Sequence, residues 1–176
     1  MSELKGTKTL ENLLAAFAGE SQARNKYTYF AKVARKEGYN YIASIFEETA
    51  DNEMQHAKDE FKKAGLLGDT VANLQEAVNG EDYETTTMYP EFAKKAEEEG
   101  FKEIAVLFKQ IAKVEAEHRE RYKKLLDMVK GGTFFKREKP IKWKCEKCGY
   151  IYEGAEPPNI CPCCKHPKEY FGPVCL

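Results

Sequence analysis

Between Leu10 and Met128 apolar side chains recur at spacings of three and four, as in Ile42, Ile45 and Phe46 and again in Ile104, Leu107, Phe108 and Ile111, on a background rich in Ala, Glu, Lys and Leu. That period marks amphipathic helix, because residues three and four apart share one face. Gly38 and Gly100 each follow a charged stretch and precede a new periodic segment by two or three residues. Each predicts a glycine-capped helix end that opens an antiparallel helical hairpin. Two hairpins make a four-helix bundle, and the stretch from Gly65 to Gly80 between them, too long for a tight turn, is expected to be its single crossover connection. After Met128 the pattern breaks: Gly131, Gly132 and Pro140 stop helix propagation and predict an extended linker. The remainder, from Trp143 to Leu176, has few aliphatic residues and cannot bury enough core to fold unaided, so a metal is its expected staple. The expected organisation is a helical domain over 1–130, a linker over 131–142 and a small domain over 143–176.

An internal repeat reinforces the paired hairpins. Residues 29–56 match residues 91–118 at a constant offset of 62, with 12 of 28 positions identical and no gap. The shared set includes Phe30/Phe92, Gly38/Gly100, Ile42/Ile104, Phe46/Phe108, Glu53/Glu115 and His56/His118. A duplicated hairpin packed about a pseudo-twofold axis follows, and whatever sits on that axis should be built twice.

Composition narrows the function classes. The 176 residues are 42% hydrophobic and 32% charged, as in ordinary globular proteins. With 28 basic and 29 acidic side chains the net charge is -1, which gives no broad attraction for nucleic acid or an anionic membrane. The longest apolar run, Leu13 to Ala18, is far shorter than the roughly 20 residues of a membrane helix, and Met1 to Thr9 carries polar residues throughout. A cytoplasmic protein is expected. All six cysteines lie between Cys145 and Cys175, and in a reducing compartment such a cluster points to metal ligation before disulfides.

Glu53 with His56 and Glu115 with His118 are Glu-x-x-His pairs, whose side chains leave one helix face towards a common point. One such pair is weak evidence and is better explained by a solvated face; two at the same place in a repeat change that balance. At about 1.5 Å per residue, Glu20 lies roughly 27 Å before the Gly38 turn, and Glu53 and His56 lie about 22 and 27 Å after it. Glu81 and Glu84 precede Gly100 by 19 and 16 residues, and Glu115 and His118 follow it by 15 and 18. Six ligands from four helices, plus Glu84, can therefore share one layer. Ionised carboxylates gathered there would cost several kcal/mol each without cations. Two metal ions answer this, and oxygen-rich ligation with one imidazole per metal suits iron or manganese in a ferritin-like bundle. One irregularity remains: Glu20 precedes Tyr27 by seven residues, whereas Glu81 precedes the matching Tyr89 by eight. The extra residue predicts a π-type bulge near Pro90.

These residues carry a resemblance to the rubrerythrins, seen in LLAAFAGESQARNKYTYFA around Glu20, ETADNEMQHA around Glu53 and His56, NGEDYETTTMYPEFA around Glu81 and Glu84, and AKVEAEHRERY around Glu115 and His118. The resemblance implies a non-haem di-iron peroxidase, with Glu20, Glu53, Glu81, Glu84 and Glu115 as carboxylate ligands and His56 and His118 as imidazole ligands. It also implies that Glu84 exchanges with His56 as one iron changes oxidation state, and that Tyr27 and Tyr89 stand behind the ligand carboxylates. On the residues alone, core packing explains those tyrosines about as well.

Cys145 and Cys148, then twelve residues, then Cys161 and Cys164 form two C-x2-C pairs, a strong signal for one tetrahedral thiolate site. Spacing leaves zinc and iron both open. The wording WKCEKCGYIYEG and PPNICPCCKHPKEYF is similar to rubredoxins, which implies one redox-active iron and a small aromatic core of Trp143, Tyr150, Tyr152 and Phe171. Cys163 and Cys175 are read as spare thiols and His166 as structural or exposed, since four thiolates already close the site.

Together the two parts imply an enzyme that reduces hydrogen peroxide to water and draws electrons through the four-cysteine iron from an external donor, either rubredoxin or an NAD(P)H-dependent reductase. The chain carries no G-x-G-x-x-G fingerprint, so the nicotinamide acts outside it. A homodimer placing one subunit's thiolate iron beside its partner's di-iron site is implied as well. The alternatives are a ferroxidase storing iron, which needs no electron inlet, and a zinc-stapled structural protein.

Overall fold

The computed structural model describes residues 4–174. It divides into two compact units that meet between Gly68 and Asp69. The first is a hairpin of α1 (Lys8–Lys36) and α2 (Asn40–Lys63). The second contains α3 (Thr70–Tyr83), a π-helical segment (Glu84–Met88), α4 (Tyr89–Glu98) and α5 (Lys102–Lys130), followed by a three-stranded antiparallel sheet. The chain is thus mainly helical with a small C-terminal sheet.

Local signals set the helix ends. The Thr7 hydroxyl accepts from the Leu10 N–H at 3.2 Å and caps α1, and the Asp69 carboxylate accepts from Ala72 at 2.8 Å and caps α3. At the two hairpin turns Gly38 and Gly100 adopt φ of +90° and +86°, where a Cβ is strained. The N–H of Gly38 bonds Arg35 and that of Tyr39 bonds Ala34, and Gly100 and Phe101 repeat this on Glu97 and Ala96. Both turns are the same Schellman cap, 62 residues apart.

The duplication continues into the packing. Small residues line each seam: Ala31, Ala34 and Ala43 are buried in the first hairpin, and Ala93, Ala96 and Ala105 are their repeat mates in the second. Alanine there lets the helix backbones approach closely. Beside each seam sits an aromatic trio, Tyr27–Phe30–Phe46 and Tyr89–Phe92–Phe108, with the tyrosine ring 6.1 and 6.0 Å from the second phenylalanine. Even the cross-hairpin ion pair is doubled with its polarity reversed, Arg35 to Glu47 and Lys109 to Glu97, each at 2.6 Å. Such exposed pairs add only about 0–1 kcal/mol, so they mark common descent of the hairpins more than stability.

One expectation fails. The stretch from Gly65 to Gly80 is not a long crossover, because α3 begins at Thr70 and only six residues, 64–69, separate it from α2. Gly65, Gly68, Asn73, Asn79 and Gly80 give the stretch a loop-like composition, but Val71, Leu74 and Val78 keep the helical three-and-four period and Asp69 supplies the cap. The π bulge is present as expected. The Tyr89 N–H reaches back to the Glu84 carbonyl, five residues away, and Pro90 has no N–H to give to the ordinary ladder.

In the sheet, β1 (Ile141–Cys145) lies between β2 (Ile151–Gly154) and β3 (Phe171–Pro173). Its core is Trp143, Cys145, Cys161 and Phe171, all buried, with Ile141 and Tyr152 packed against them. The Trp143 indole donates to the Gly154 carbonyl at 2.9 Å, so the ring is buried with its one polar atom satisfied.

Candidate metal centres

The helical chain builds two matching sets of ligands, one in each unit. In the first hairpin Glu20 from α1 meets Glu53 and His56 from α2, with one donor atom of each lying within 4.8 Å of the others. In the second unit Glu81 from α3 meets Glu115 and His118 from α5 to the same tolerance. His56 Nδ1 lies 2.8 Å from Glu53 and His118 Nδ1 lies 2.6 Å from Glu115, as the i,i+3 spacing requires. Glu53 and Glu115 map onto each other at offset 62, but Glu20 and Glu81 do so at 61. The π segment absorbs the difference: one residue added in Glu84–Met88 lets Glu81 return to the inward face that Glu20 occupies.

In each set two carboxylates face a single imidazole, which offsets only part of their charge. The Glu20 carboxyl is pushed up, first by sharing a hydrogen bond with Glu53 and then by burial and the neighbouring charges of Glu53 and Glu60. Burial is the first cause for Glu81, which is also pushed up, followed by the charge of Glu115. One Glu81 oxygen is buried with no hydrogen-bond partner. Crowded carboxylates with an orphaned oxygen beside an imidazole nitrogen are what a hard, multiply charged cation relieves, so the donor set fits iron.

Glu84, at the head of the π segment, is half-buried and is not drawn into the triad of Glu81, Glu115 and His118. Its charge is nonetheless felt, since burial, Glu84, Glu115 and Glu81 in that order push the Tyr89 phenol up. The pattern of the sequence did not single out Glu60, one turn beyond His56, yet one of its oxygens is buried without a partner and its charge acts on Glu20. Its i,i+4 relation to His56 was the available signal, masked by the many glutamates of α2.

The four-cysteine site is compact. Cys145 Sγ lies 3.7 Å from Cys164 Sγ, and Cys148 Sγ lies 3.7 Å from Cys161 Sγ. Sulfurs about 2.3 Å from a central metal in a tetrahedron lie about 3.8 Å apart, so the cage already has the right size. Two matching knuckles form it. Gly149 N–H returns to the Cys145 carbonyl and Lys165 N–H to that of Cys161, with φ of +79° and +62° at the two turns. Burial pushes the Cys161 thiol up, but the amides of Cys164 and Cys163 and the neighbouring thiols outweigh it and hold it at about 7. Cys148 moves the other way: the Tyr150 amide lowers it, and the crowding thiols raise it further than that. Four sulfurs held this close together are a donor set that suits one tetrahedral cation. Cys163 is exposed and stands outside the cage, His166 Nδ1 lies 3.1 Å from the Cys164 carbonyl, and Cys175 falls outside the described residues.

Among the described residues no helix is long and apolar enough to cross a membrane. Residues 11–126 match the rubrerythrin family, and residues 143–172 match the rubredoxin-like domain of rubrerythrin. The chain is 51% identical over 184 residues to the rubrerythrin of Porphyromonas gingivalis, covering 97% of this chain and 92% of that one. It is 50% identical over 188 residues to rubrerythrin-1 of Clostridium acetobutylicum, covering 97% and 96%. A solved structure of nigerythrin in a partially reduced state is 36% identical, covering 97% of this chain and 88% of that one with a TM-score of 0.37. With the family match and the rubrerythrin relatives, two Glu/Glu/His sets and a four-thiolate cage in a single chain, the protein belongs to the rubrerythrin family, an oxidoreductase-like family with a di-iron ferritin-like domain and a rubredoxin-like iron site.

Proposed function

We propose that the protein is a non-haem di-iron peroxidase that reduces hydrogen peroxide to water and protects against oxidative stress. The supporting observation is the union in one chain of a doubled carboxylate and imidazole set with a four-thiolate cage, because iron storage would need the first and not the second. The reaction consumes one peroxide, two protons and two electrons and releases two waters. When bound, the iron ions would supply the two electrons that cleave the O–O bond at the carboxylate set and a one-electron step at the thiolate cage.

The chain supplies position and charge. Glu20, Glu53, Glu81 and Glu115 hold the carboxylate-bound ions, His56 and His118 give each an imidazole, and Glu84 stands as a further carboxylate for one of them. Tyr89, whose proton is held more firmly than in a free phenol, stays neutral at physiological pH and remains a hydrogen-bond donor beside Glu81 and Glu115. The cage of Cys145, Cys148, Cys161 and Cys164 accepts electrons from rubredoxin or from an NAD(P)H-dependent reductase and passes them on within a homodimer. Residues 1–130 are the peroxide-reducing body, 131–142 the linker and 143–176 the electron inlet, all cytoplasmic.

The test is iron-loaded protein assayed for peroxide-dependent NADH oxidation with a reductase. Turnover in peroxide that vanishes in Cys148→Ala supports the reading. Rapid ferrous oxidation and iron accumulation without peroxide turnover would replace it with ferroxidase storage.

A further inference from the structure

We propose that Glu60 is a positioning residue of the Glu20, Glu53 and His56 set, a third carboxylate that acts through Glu20 and makes that set hold its ion more tightly and in the more highly charged state. This rests on the ligand reading above and goes beyond it, because it gives a task to a side chain outside both sets.

The placement comes from α2. Glu60 follows Glu53 by seven residues and His56 by four, so the three side chains leave one face of the helix. Glu47 and Asp59 of the same helix have Arg35 and Gln55 as partners. The Oε2 of Glu60 has neither a donor nor solvent. A buried carboxylate oxygen left in that way destabilises the chain that carries it, and such defects are kept where function uses them. Glu60 stands outside the cluster of donor atoms that Glu20, Glu53 and His56 bring within 4.8 Å, so it is not one of the three ligands. Its charge still reaches them: after Glu53 and burial, Glu60 is the further group that pushes the Glu20 carboxyl up.

The internal repeat isolates the feature. Glu53 and His56 have Glu115 and His118 as mates at offset 62, but at the same offset Glu60 has Tyr122. The carboxylate that acts on Glu81 from outside its set is Glu84 instead. Each set thus has one carboxylate beyond its three ligands, and the two are placed differently. Glu60 lies on the helix that carries the imidazole, whereas Glu84 follows Glu81 by three residues at the head of the π segment. The sets are equal in charge and unequal in arrangement. A fixed negative charge attracts a metal ion in proportion to the ion's own charge, so it favours binding and favours the oxidised ion over the reduced one. Passed through Glu20, that charge also makes the ligand carboxylate a stronger donor.

Removing the charge while keeping the shape decides it. Full-length wild type and Glu60→Gln, stripped of metal, are titrated with cobalt(II), and cage-bound cobalt is told apart by its intense sulfur-to-cobalt absorption. Glu60→Gln should fill to the same final count, with one carboxylate step weakened by about 10–100-fold, the usual loss when an outer carboxylate is removed. Its metal-free form should melt no lower than wild type, because a neutral amide has replaced an unpaired buried carboxylate. In iron-loaded protein the reduction midpoint of the carboxylate-bound iron should move to higher potential. Glu60→Asp, which keeps the charge, should recover part of the lost affinity. Cobalt affinity and midpoint equal to wild type in Glu60→Gln overturn the proposal. So does a loss that Glu60→Asp does not recover, or a lower melting temperature with unaltered metal affinity, which marks a structural part alone. Wild type that takes up no cobalt at the carboxylates would defeat the di-iron reading and this proposal with it, and that failure is told from the others because it shows in the unaltered chain.

Discussion

At the scale of single residues, the two Glu/Glu/His sets differ in how deeply they hold their imidazoles. The His56 side chain is 58% exposed and that of His118 is 39% exposed, while Glu53 and Glu115 are equally sheltered at 16%. Glu84 stands outside both sets and acts on Tyr89 through its charge, so in the proposed reading it tunes the metal without anchoring it. Glu84→Ala is therefore expected to keep most of its iron and to lose peroxide reactivity by about 10–100-fold, the usual scale for residues that tune a metal without anchoring it. Iron analysis beside single-turnover oxidation by peroxide separates the two effects. Glu53→Ala and Glu115→Ala should behave oppositely, losing carboxylate-bound iron outright while helix content by circular dichroism holds, since the alanine seams and aromatic trios do not involve them.

At the scale of elements, the π segment and the thiolate cage each make a sharp demand on the chain. Deleting Thr86 would restore an ordinary ladder through Glu84–Met88 and rotate everything before it by about 100° about the helix axis. Glu81 would leave the inward face, so the Glu81, Glu115 and His118 set should lose its metal while Glu20, Glu53 and His56 stay together. The small sheet has a built-in reporter, because Trp143 is the only tryptophan and is fully buried against Cys145 and Cys161. Chelating the thiolate metal should shift its emission to the red with little change in helical signal, and an unmoved spectrum would mean that the sheet folds without a staple. Much of this was legible from residues alone: the hairpins from Gly38 and Gly100, the π bulge from seven against eight residues before the tyrosines, and the cage from two C-x2-C pairs. The connection between α2 and α3 was not. Its glycines and asparagines look like loop, and only tertiary geometry shows that Thr70 already starts a helix whose cap, Asp69, has one ambiguous sequence signal. Glu60 was hidden for a different reason, since burial of one oxygen is a property of packing and not of spacing.

At the scale of the molecule, the linker is more structured than its composition suggests. Gly131, Gly132 and Pro140 announce a break in the helix, but Arg137 gathers the residues between. Its guanidinium donates to the carbonyls of Thr133 at 2.7 Å, Lys136 at 2.8 Å and Phe134 at 3.1 Å, and it lies 5.3 Å from the Trp143 ring. Its backbone N–H donates to the Ala155 carbonyl at 2.8 Å. One side chain thus ties the end of α5 to the core of the sheet, through contacts worth about 0.5–2 kcal/mol for the stacking and about 1 kcal/mol for each hydrogen bond. In the proposed relay a tether held in this way would fix where the thiolate cage is presented, whereas a flexible one would deliver it by diffusion. Arg137→Ala should leave the iron content and the chemical reduction of both sites unchanged, because it touches no ligand. It should slow reductase-coupled peroxide turnover several-fold by letting the cage wander from its delivery position. Equal turnover in the variant and the wild type, with the linker shown to be mobile by increased proteolytic cleavage between Gly131 and Pro140, would mean that electron delivery depends on reach alone and not on the pose that Arg137 imposes.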